Sequence, residues 1–373
     1  MLNDPINPGS GTRCSWLQRM HLDGLLLTGL ISLCALGLVV LYSAAGQNAA
    51  MVDRQLIRLG IAFGTLIFAA QIPPGLLYRW TPWMFGLGVI MLIAVLFAGD
   101  VGKGAQRWLD LGVVRFQPSE ILKLMMPMML AWYLSEARLP PDWKHLSIAS
   151  LLIVIPTLLI AKQPDLGTAL LIASSGFFVL FLAGISWRLL GGLTLLAAAC
   201  LPVLWHFMHD YQRQRVLTFL DPSQDPMGAG YHIIQSKIAI GSGGLYGKGW
   251  LNGTQAHLEF LPERSTDFIF AVLAEEFGLI GISLVLLVYG AVIFRSLYIA
   301  TQAQDTFTRL LAGSLALTFF VYLIVNTGMV TGLLPVVGLP LPLFSYGGTS
   351  MVTLMAGFGI LMSIHTHKKL LPE

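Results

Sequence analysis

Three short segments of this chain set ionisable side chains at the edges of long apolar runs, where a charge must have a purpose or a partner. In Gln117-Pro118-Ser119-Glu120-Ile121-Leu122-Lys123 the acid and the cation are three residues apart, on one helix face. Pro118 suits a first helical position, and Glu120 would lie near the positive end of the helix dipole. The pair can hold a charged substrate, or its members can simply cancel each other's burial cost. In Gln163-Pro164-Asp165-Leu166-Gly167-Thr168, Asp165 opens another apolar run, and a helix cap is its ordinary explanation. In Pro262-Glu263-Arg264-Ser265-Thr266-Asp267-Phe268-Ile269-Phe270, Asp267 is the last acid before a long apolar stretch, with Arg264 three residues upstream. An acid so placed can take a proton as a general base, or it can cap the helix that follows. Glu275 and Glu276 follow about 12 Å further along that helix, at 1.5 Å per residue. At least one of them requires a proton or a cation, and Glu276 points away from the Asp267 face.

The elements that must position these groups are membrane helices. Of 373 residues, 55% are apolar and 11% charged, and mean hydropathy is +0.74, against about 25% charged in soluble domains. Apolar runs recur from residue 23 to residue 366 with no hydrophilic stretch long enough to fold separately, so one integral domain is expected. At about 20 apolar residues per crossing, ten candidate spans emerge: 23–45, 56–72, 78–98, 117–135, 146–161, 168–184, 187–208, 267–294, 308–330 and 343–366. The fold class is therefore an all-α polytopic membrane protein with a large outer loop, 210–266, between helices 7 and 8. The polar segment 1–22 carries no cleavable signal pattern, and the expected tails are 1–22 and 367–373.

Ten spans put both termini on one side. Of the 22 Lys and Arg residues, ten fall on the terminal side and twelve opposite. Lys368 and Lys369, directly after the last span, favour cytoplasmic termini, because long translocated loops carry little weight. The outer loops then hold many cations, which suits an anionic substrate or simply balances the acids nearby. The stretch 331–349, with Pro335, Pro340 and Pro342, cannot be a continuous helix, and non-helical backbone at membrane depth requires protein or a water-filled cavity beside it.

Within the outer loop, Tyr231 to Ile240 has the pattern of an interfacial amphipathic helix. The glycine run Gly241 to Gly249 resembles a phosphate loop but lacks the Walker spacing, which leaves a backbone nest for some other phosphate as the open reading. Cys14, Cys34 and Cys200 and the eight histidines show no metal or disulfide spacing.

Taken together, these segments resemble the SEDS family (shape, elongation, division and sporulation). The matching pieces are Arg107-Trp108-Leu109-Asp110-Leu111-Gly112, Gln117 to Lys123, Gln163 to Thr168, Gln235-Ser236 through Gly244, Lys248-Gly249, Thr266 to Phe270, and Gly338-Leu339-Pro340 through Gly348, in order over almost the whole chain. The wording Leu109 to Gly112 favours an elongation member over a division member. The resemblance implies a ten-helix peptidoglycan glycosyltransferase of the bacterial inner membrane that polymerises lipid II beside a class B penicillin-binding protein. Other elongation-complex membrane proteins and membrane lipid are the further expected partners, and nucleic acid is not.

Carried over residue by residue, Asp267 matches the essential acid, Glu120 and Lys123 the charged pair of the fourth helix, Asp165 the acid of the sixth, and Trp108 the aromatic residue of the first outer loop. The family's donor is a sugar α-linked to pyrophosphate and its product is β-1,4-linked, so one inverting displacement with Asp267 as base suffices. Lys123, then Arg213, Arg215, Lys248 and Arg264, are the cations expected to meet charge on the leaving pyrophosphate. No cofactor is required; a divalent cation is compatible with that task, and no dedicated metal site is evident. The alternative is a flippase of the lipid-linked precursor, which would distribute its charges through the midplane rather than at one end.

Overall fold

The computed structural model describes residues 20–102, 105–110, 115–189, 210–222, 228–257, 261 and 263–367, with isolated positions between 190 and 206. It is mostly helical. Six helices are long and apolar enough to cross a membrane: α1 (Gly24–Ala44), α3 (Pro74–Ala98), α5 (Trp143–Ala161), α10 (Ile269–Thr301), α11 (Thr306–Thr331) and α12 (Thr349–Thr366). Three more occupy the positions of expected spans: α2 (Ala49–Gln71), α4 (Pro118–Ser135) and α6 (Leu166–Leu182). The seventh expected span, 187–208, lies largely outside the described residues, as do most of the two terminal tails. The segment between the expected seventh and eighth spans adds α7 (Asp210–Leu220), α8 (Ala229–Gly243) and the short α9 (Thr254–His257).

Helix starts follow their local chemistry. Asp23 caps α1, accepting the Leu26 amide at 2.8 Å, Asp142 caps α5, and α3 and α4 open on Pro74 and Pro118. On the terminal side Asp23 also pairs with Arg295 of α10 (2.5 Å) and His365 of α12 (3.3 Å), tying three helix ends together. Lipid offers no hydrophobic drive between helices, so close approach falls to small residues. A Cβ on Gly359 would overlap the Leu66 carbonyl of α2, and one on Gly37 would stand 3.0 Å from Phe344 Cα.

Three features depart from the sequence expectation. The segment 99–116 is not a plain loop: β1 (Asp100–Gly102), β2 (Ala105–Asp110) and β3 (Arg115–Phe116) form an antiparallel sheet, with Asp100 opposite Trp108 and Leu109 opposite Phe116. The alternation signal is short here and was hidden by glycines. Secondly, α8 does more than rest on a bilayer. Its small face, Ile233, Ser236, Ala239 and Gly243, is buried against α10 and α11; Ser236 donates to the Val330 carbonyl at 2.7 Å.

Thirdly, α10 is two helices joined at Gly278, whose φ of 64° and ψ of −162° no L side chain adopts readily. From Ile269 to Glu276 every residue is buried, whereas Leu279, Ile280, Leu284 and Leu287 face outward. The 23 residues after the break suffice to span hydrocarbon, and the first part is enclosed in protein.

The glycine loop explains how such a break survives. Lys248 and Gly249 amides donate to the Glu275 and Glu276 carbonyls (3.0 Å each), while Leu279 and Ile280 amides donate to Gly244 and Leu245 carbonyls (3.0 and 3.2 Å). The loop thus closes both helix ends, and the Gly247, Lys248 and Gly249 amides are taken by carbonyls of the chain itself. Gly247, at φ 76°, lies so close that a Cβ would overlap the Glu276 carbonyl.

Gly247→Ala should therefore lower the thermal unfolding temperature of the purified protein by several degrees, left-handed strain alone costing about 1 to 2 kcal/mol before the overlap is counted. Gly241→Ala, with open space around its Cβ, should leave it unchanged; equal melting of both would remove the loop as the clamp on the break.

Candidate active site

Glu120 and Lys123 sit in the first turns of α4, both buried, with Nζ 2.7 Å from Oε1. Such a pair is held by attraction against the cost of dehydrating two ions, several kcal/mol each. Lys123 Nζ also stands 5.5 Å over the ring of Tyr322 on α11. A narrow apolar cleft between α4, α11 and α12 reaches Lys123 and Tyr322, with Leu315, Phe319 and Phe358 among its walls.

Asp267 closes a turn that begins at Glu263, a non-glycine residue at φ 54°; the Glu263 carbonyl accepts from the amides of Thr266 and Phe268. Three bonds fix this turn from outside. Tyr346 N donates to the Ser265 carbonyl (2.8 Å), Ser345 Oγ to the Thr266 carbonyl (2.5 Å), and Asn326 Nδ2 to the Asp267 carbonyl (2.9 Å). The proline-bearing stretch after α11 is non-helical as expected and forms the wall here: a Cβ on Gly338 would be 3.6 Å from Asp267 Oδ2.

Helix α11 relates the two charged groups. Tyr322 touches Lys123, and Asn326, four residues on and on the same face, touches Asp267. Four residues rise about 6 Å, so the Lys123 ammonium and the Asp267 backbone meet residues one helical turn apart on one face of α11.

Asp165 joins from α6. It caps that helix through the Thr168 amide (3.3 Å), accepts Gln117 Nε2 (3.1 Å), and lies 3.9 Å from Arg107. The cap reading of Asp165 is thus realised together with an ion pair. Next to it Gly167 abuts the Val337 carbonyl, where a Cβ would stand at 2.9 Å. Asp165, the start of α4 and the Gly338 wall are consequently neighbours. Arg107 reaches back to the carbonyls of Gln163 (3.3 Å) and Pro164; Trp108, half-buried on β2, is on the opposite face of the strand.

The other expected cations are placed differently. Lys248 is the counter-ion of Glu275, at 2.7 Å, and also bonds Thr254 at 2.7 Å. The fully buried Glu275, which also accepts the Gln255 amide, thus has this ammonium as its counter-ion. Arg213 donates to the Trp205 carbonyl at 3.0 Å from α7, the helix that also carries Arg215 and packs on α8. Arg264 extends to the α1–α2 turn, its Nη2 3.9 Å from a Cβ position on Gly46. Glu276 accepts from Ser43 of α1.

Sequence reading missed three residues. Arg58 of α2 stacks on Tyr346 at 4.3 Å, and Tyr322 and Asn326 form the shared face of α11. A signal existed for the last two: polar groups four apart inside an apolar helix are functional candidates. Among the described residues, no three His, Cys, Asp or Glu side chains converge as a metal site would require.

The chain belongs to the cell cycle proteins named for FtsW, RodA and SpoVE, whose family model matches residues 21–370. The peptidoglycan glycosyltransferase MrdB of Escherichia coli (strain K12) is 56% identical over 368 residues, 98% of this chain and 99% of that one. MrdB of Helicobacter pylori (strain ATCC 700392 / 26695) is 38% identical, covering 92% and 90%. Among solved structures, a chain from a peptidoglycan synthase complex that coordinates polymerization and crosslinking superposes with a TM-score of 0.81 at 34% identity, over 92% of this chain and 97% of that one. The rod shape determining protein RodA of Thermus thermophilus gives 0.70 at 30% identity, over 93% and 98%. With these relatives and its apolar helices, the chain is a multi-pass inner-membrane protein.

The Lys248–Glu275 pair yields a test of its own. Lys248→Met should destabilise by about 3 kcal/mol by stranding a buried carboxylate, and Glu275→Gln in the same chain should recover most of the loss, read by thermal unfolding in detergent. A silent Lys248→Met would show that the pair does not neutralise Glu275.

Proposed function

We infer that this chain polymerises lipid II into glycan strands on the outer face of the inner membrane, as a peptidoglycan glycosyltransferase of cell elongation, with Asp267 as general base. The relatives' shared name supports the activity, and the observation that supports the mechanism is that one face of α11 meets Lys123 through Tyr322 and the Asp267 backbone through Asn326. In the reaction the acceptor's 4-hydroxyl attacks the donor's anomeric carbon while Asp267 takes the hydroxyl proton. The anomeric C–O bond breaks, its electron pair leaving with the pyrophosphate, and configuration inverts in a single step.

Lys123 is the nearest placed cation for that pyrophosphate, and Glu120 holds its ammonium until a substrate competes for it. A divalent cation is the other carrier for the same charge. The apolar cleft ending on Lys123 suits the isoprenoid chain of a lipid-linked donor. Asp165 and Trp108 would border the sugars.

The reading includes one ten-helix domain, 23–366, with 187–208 as the seventh crossing, the 210–266 loop outside, and cytoplasmic tails 1–22 and 367–373. A class B penicillin-binding protein crosslinks the product, in line with the synthase complex to which the chain is similar.

Orientation can be checked in a cysteine-free background: a cysteine at the exposed Tyr246 should react with an impermeant thiol reagent in intact spheroplasts, and one at the exposed Gln302 should not. The reverse pattern would turn the site to the wrong side.

Asp267→Asn should abolish strand formation from labelled lipid II by two orders of magnitude or more, with insertion and partner association intact. A capping role alone would cost about 0.3 to 1 kcal/mol, too little to stop turnover in a folded membrane protein. Robust strands from this variant would remove Asp267 from the mechanism and restore the flippase reading.

A further inference from the structure

We propose that Asn326 is the positioning residue of the catalytic acid: its one amide group sets the backbone of Asp267 and the wall opposite the carboxylate at the same time. The proposal rests on Asp267 being the base.

Asn326 is fully buried in α11, and its Nδ2 donates to two carbonyls, Asp267 at 2.9 Å and Leu339 at 2.7 Å. Two acceptors at one nitrogen fix which end of the amide faces them, since the oxygen would be repelled by both. The first carbonyl belongs to the peptide joining Asp267 to Phe268, where the chain turns into α10. Holding it fixes ψ of Asp267 and hence the direction in which the carboxylate leaves the backbone. The second carbonyl follows Gly338, the residue whose Cβ position is 3.6 Å from Asp267 Oδ2. One side chain therefore sets both the acid and the surface it lies against.

Stability alone does not explain this residue. Asn326 Oδ1 is buried with no hydrogen-bond partner, an arrangement that costs stability and that a side chain chosen only for packing would avoid. The asymmetry, two donors used and the acceptor left over, is what a role in holding carbonyls requires.

Asn326→Leu keeps a similar volume and removes both donors. With the transpeptidase partner present and labelled lipid II as substrate, kcat should fall roughly 30- to 100-fold, because about an ångström of misplacement costs that much. KM should stay within about threefold, since donor binding does not run through this residue, and unfolding temperature should hold within a few degrees.

Asn326→Asp is the second variant, decisive if the first does not accumulate folded. Its buried carboxyl, facing two carbonyl oxygens, can donate to one of them only while it carries its proton. On ionising it repels both. Its activity relative to the parent chain should fall as pH rises, whereas a packing defect would leave that ratio flat.

Asp267→Asn is measured alongside, and adding Asn326→Leu to it should cost nothing more. A parent-like kcat for Asn326→Leu, or a flat pH ratio for Asn326→Asp, overturns the proposal and leaves an inactive Asp267→Asn chain as evidence for the base. An active Asp267→Asn chain overturns both.

Discussion

Hydrocarbon supplies no hydrogen bonds, so every backbone break at membrane depth must be closed by protein. Among the described residues two such breaks flank Asp267. At Gly278 the loop Gly244 to Gly249 satisfies two carbonyls before the break and two amides after it. In the stretch after α11, Leu339, Leu341 and Ser345 are bonded to Asn326, Ser345 and Gln55. The interruption at Gly278 is what frees the buried segment from Ile269 to Glu276 from crossing the membrane. Its N-terminal end can then present Asp267 to a wall of irregular backbone rather than to lipid.

Helix α11 is the common reference for these parts. Its start is fixed by a capping box at Asp305 and Thr308, and its far end carries Tyr322, Asn326 and the Val330 carbonyl that receives Ser236 of α8. A displacement of α11 would therefore reach Lys123, Asp267 and α8 together. Because helix cores are close-packed, such a shift passes between discrete arrangements rather than by gradual bending, which couples α8 to the charged residues by contact.

Much of this was legible in the sequence, for identifiable reasons. Apolar length located the helices, Pro118 and Asp165 marked starts by local chemistry, and the prolines after Thr331 ruled out a helix. Glu120 and Lys123 met because i and i+3 are neighbours on any helix. What stayed hidden depended on distant parts of the chain. The break at Gly278 is invisible to apolar length, since the residues on both sides are equally apolar, and its cause lies thirty residues upstream in a loop that reads as a phosphate nest. Lys248 and Glu275 are 27 apart and meet only through that loop. Asn326 and Asp267 are 59 apart. No periodicity encodes either meeting.

The distribution of charge also separates the two functional readings. A carrier that exposes one site to both faces needs its ionisable groups at the midplane, between two repeats that rock about them. Here, apart from Glu276 and the Glu275–Lys248 pair at the break in α10, the groups described above divide into two sets. Asp23, Arg295 and His365 neutralise one another at the terminal end, where they join helix ends. Glu120, Lys123, Asp165, Arg107 and Asp267 gather where α4 and α6 begin and α11 ends. Between them, α11 runs through buried Leu310, Leu311, Ala312 and Ala316, with no charged step for an anionic headgroup to occupy. The single set of charges at one end fits an enzyme that meets its substrate from that side.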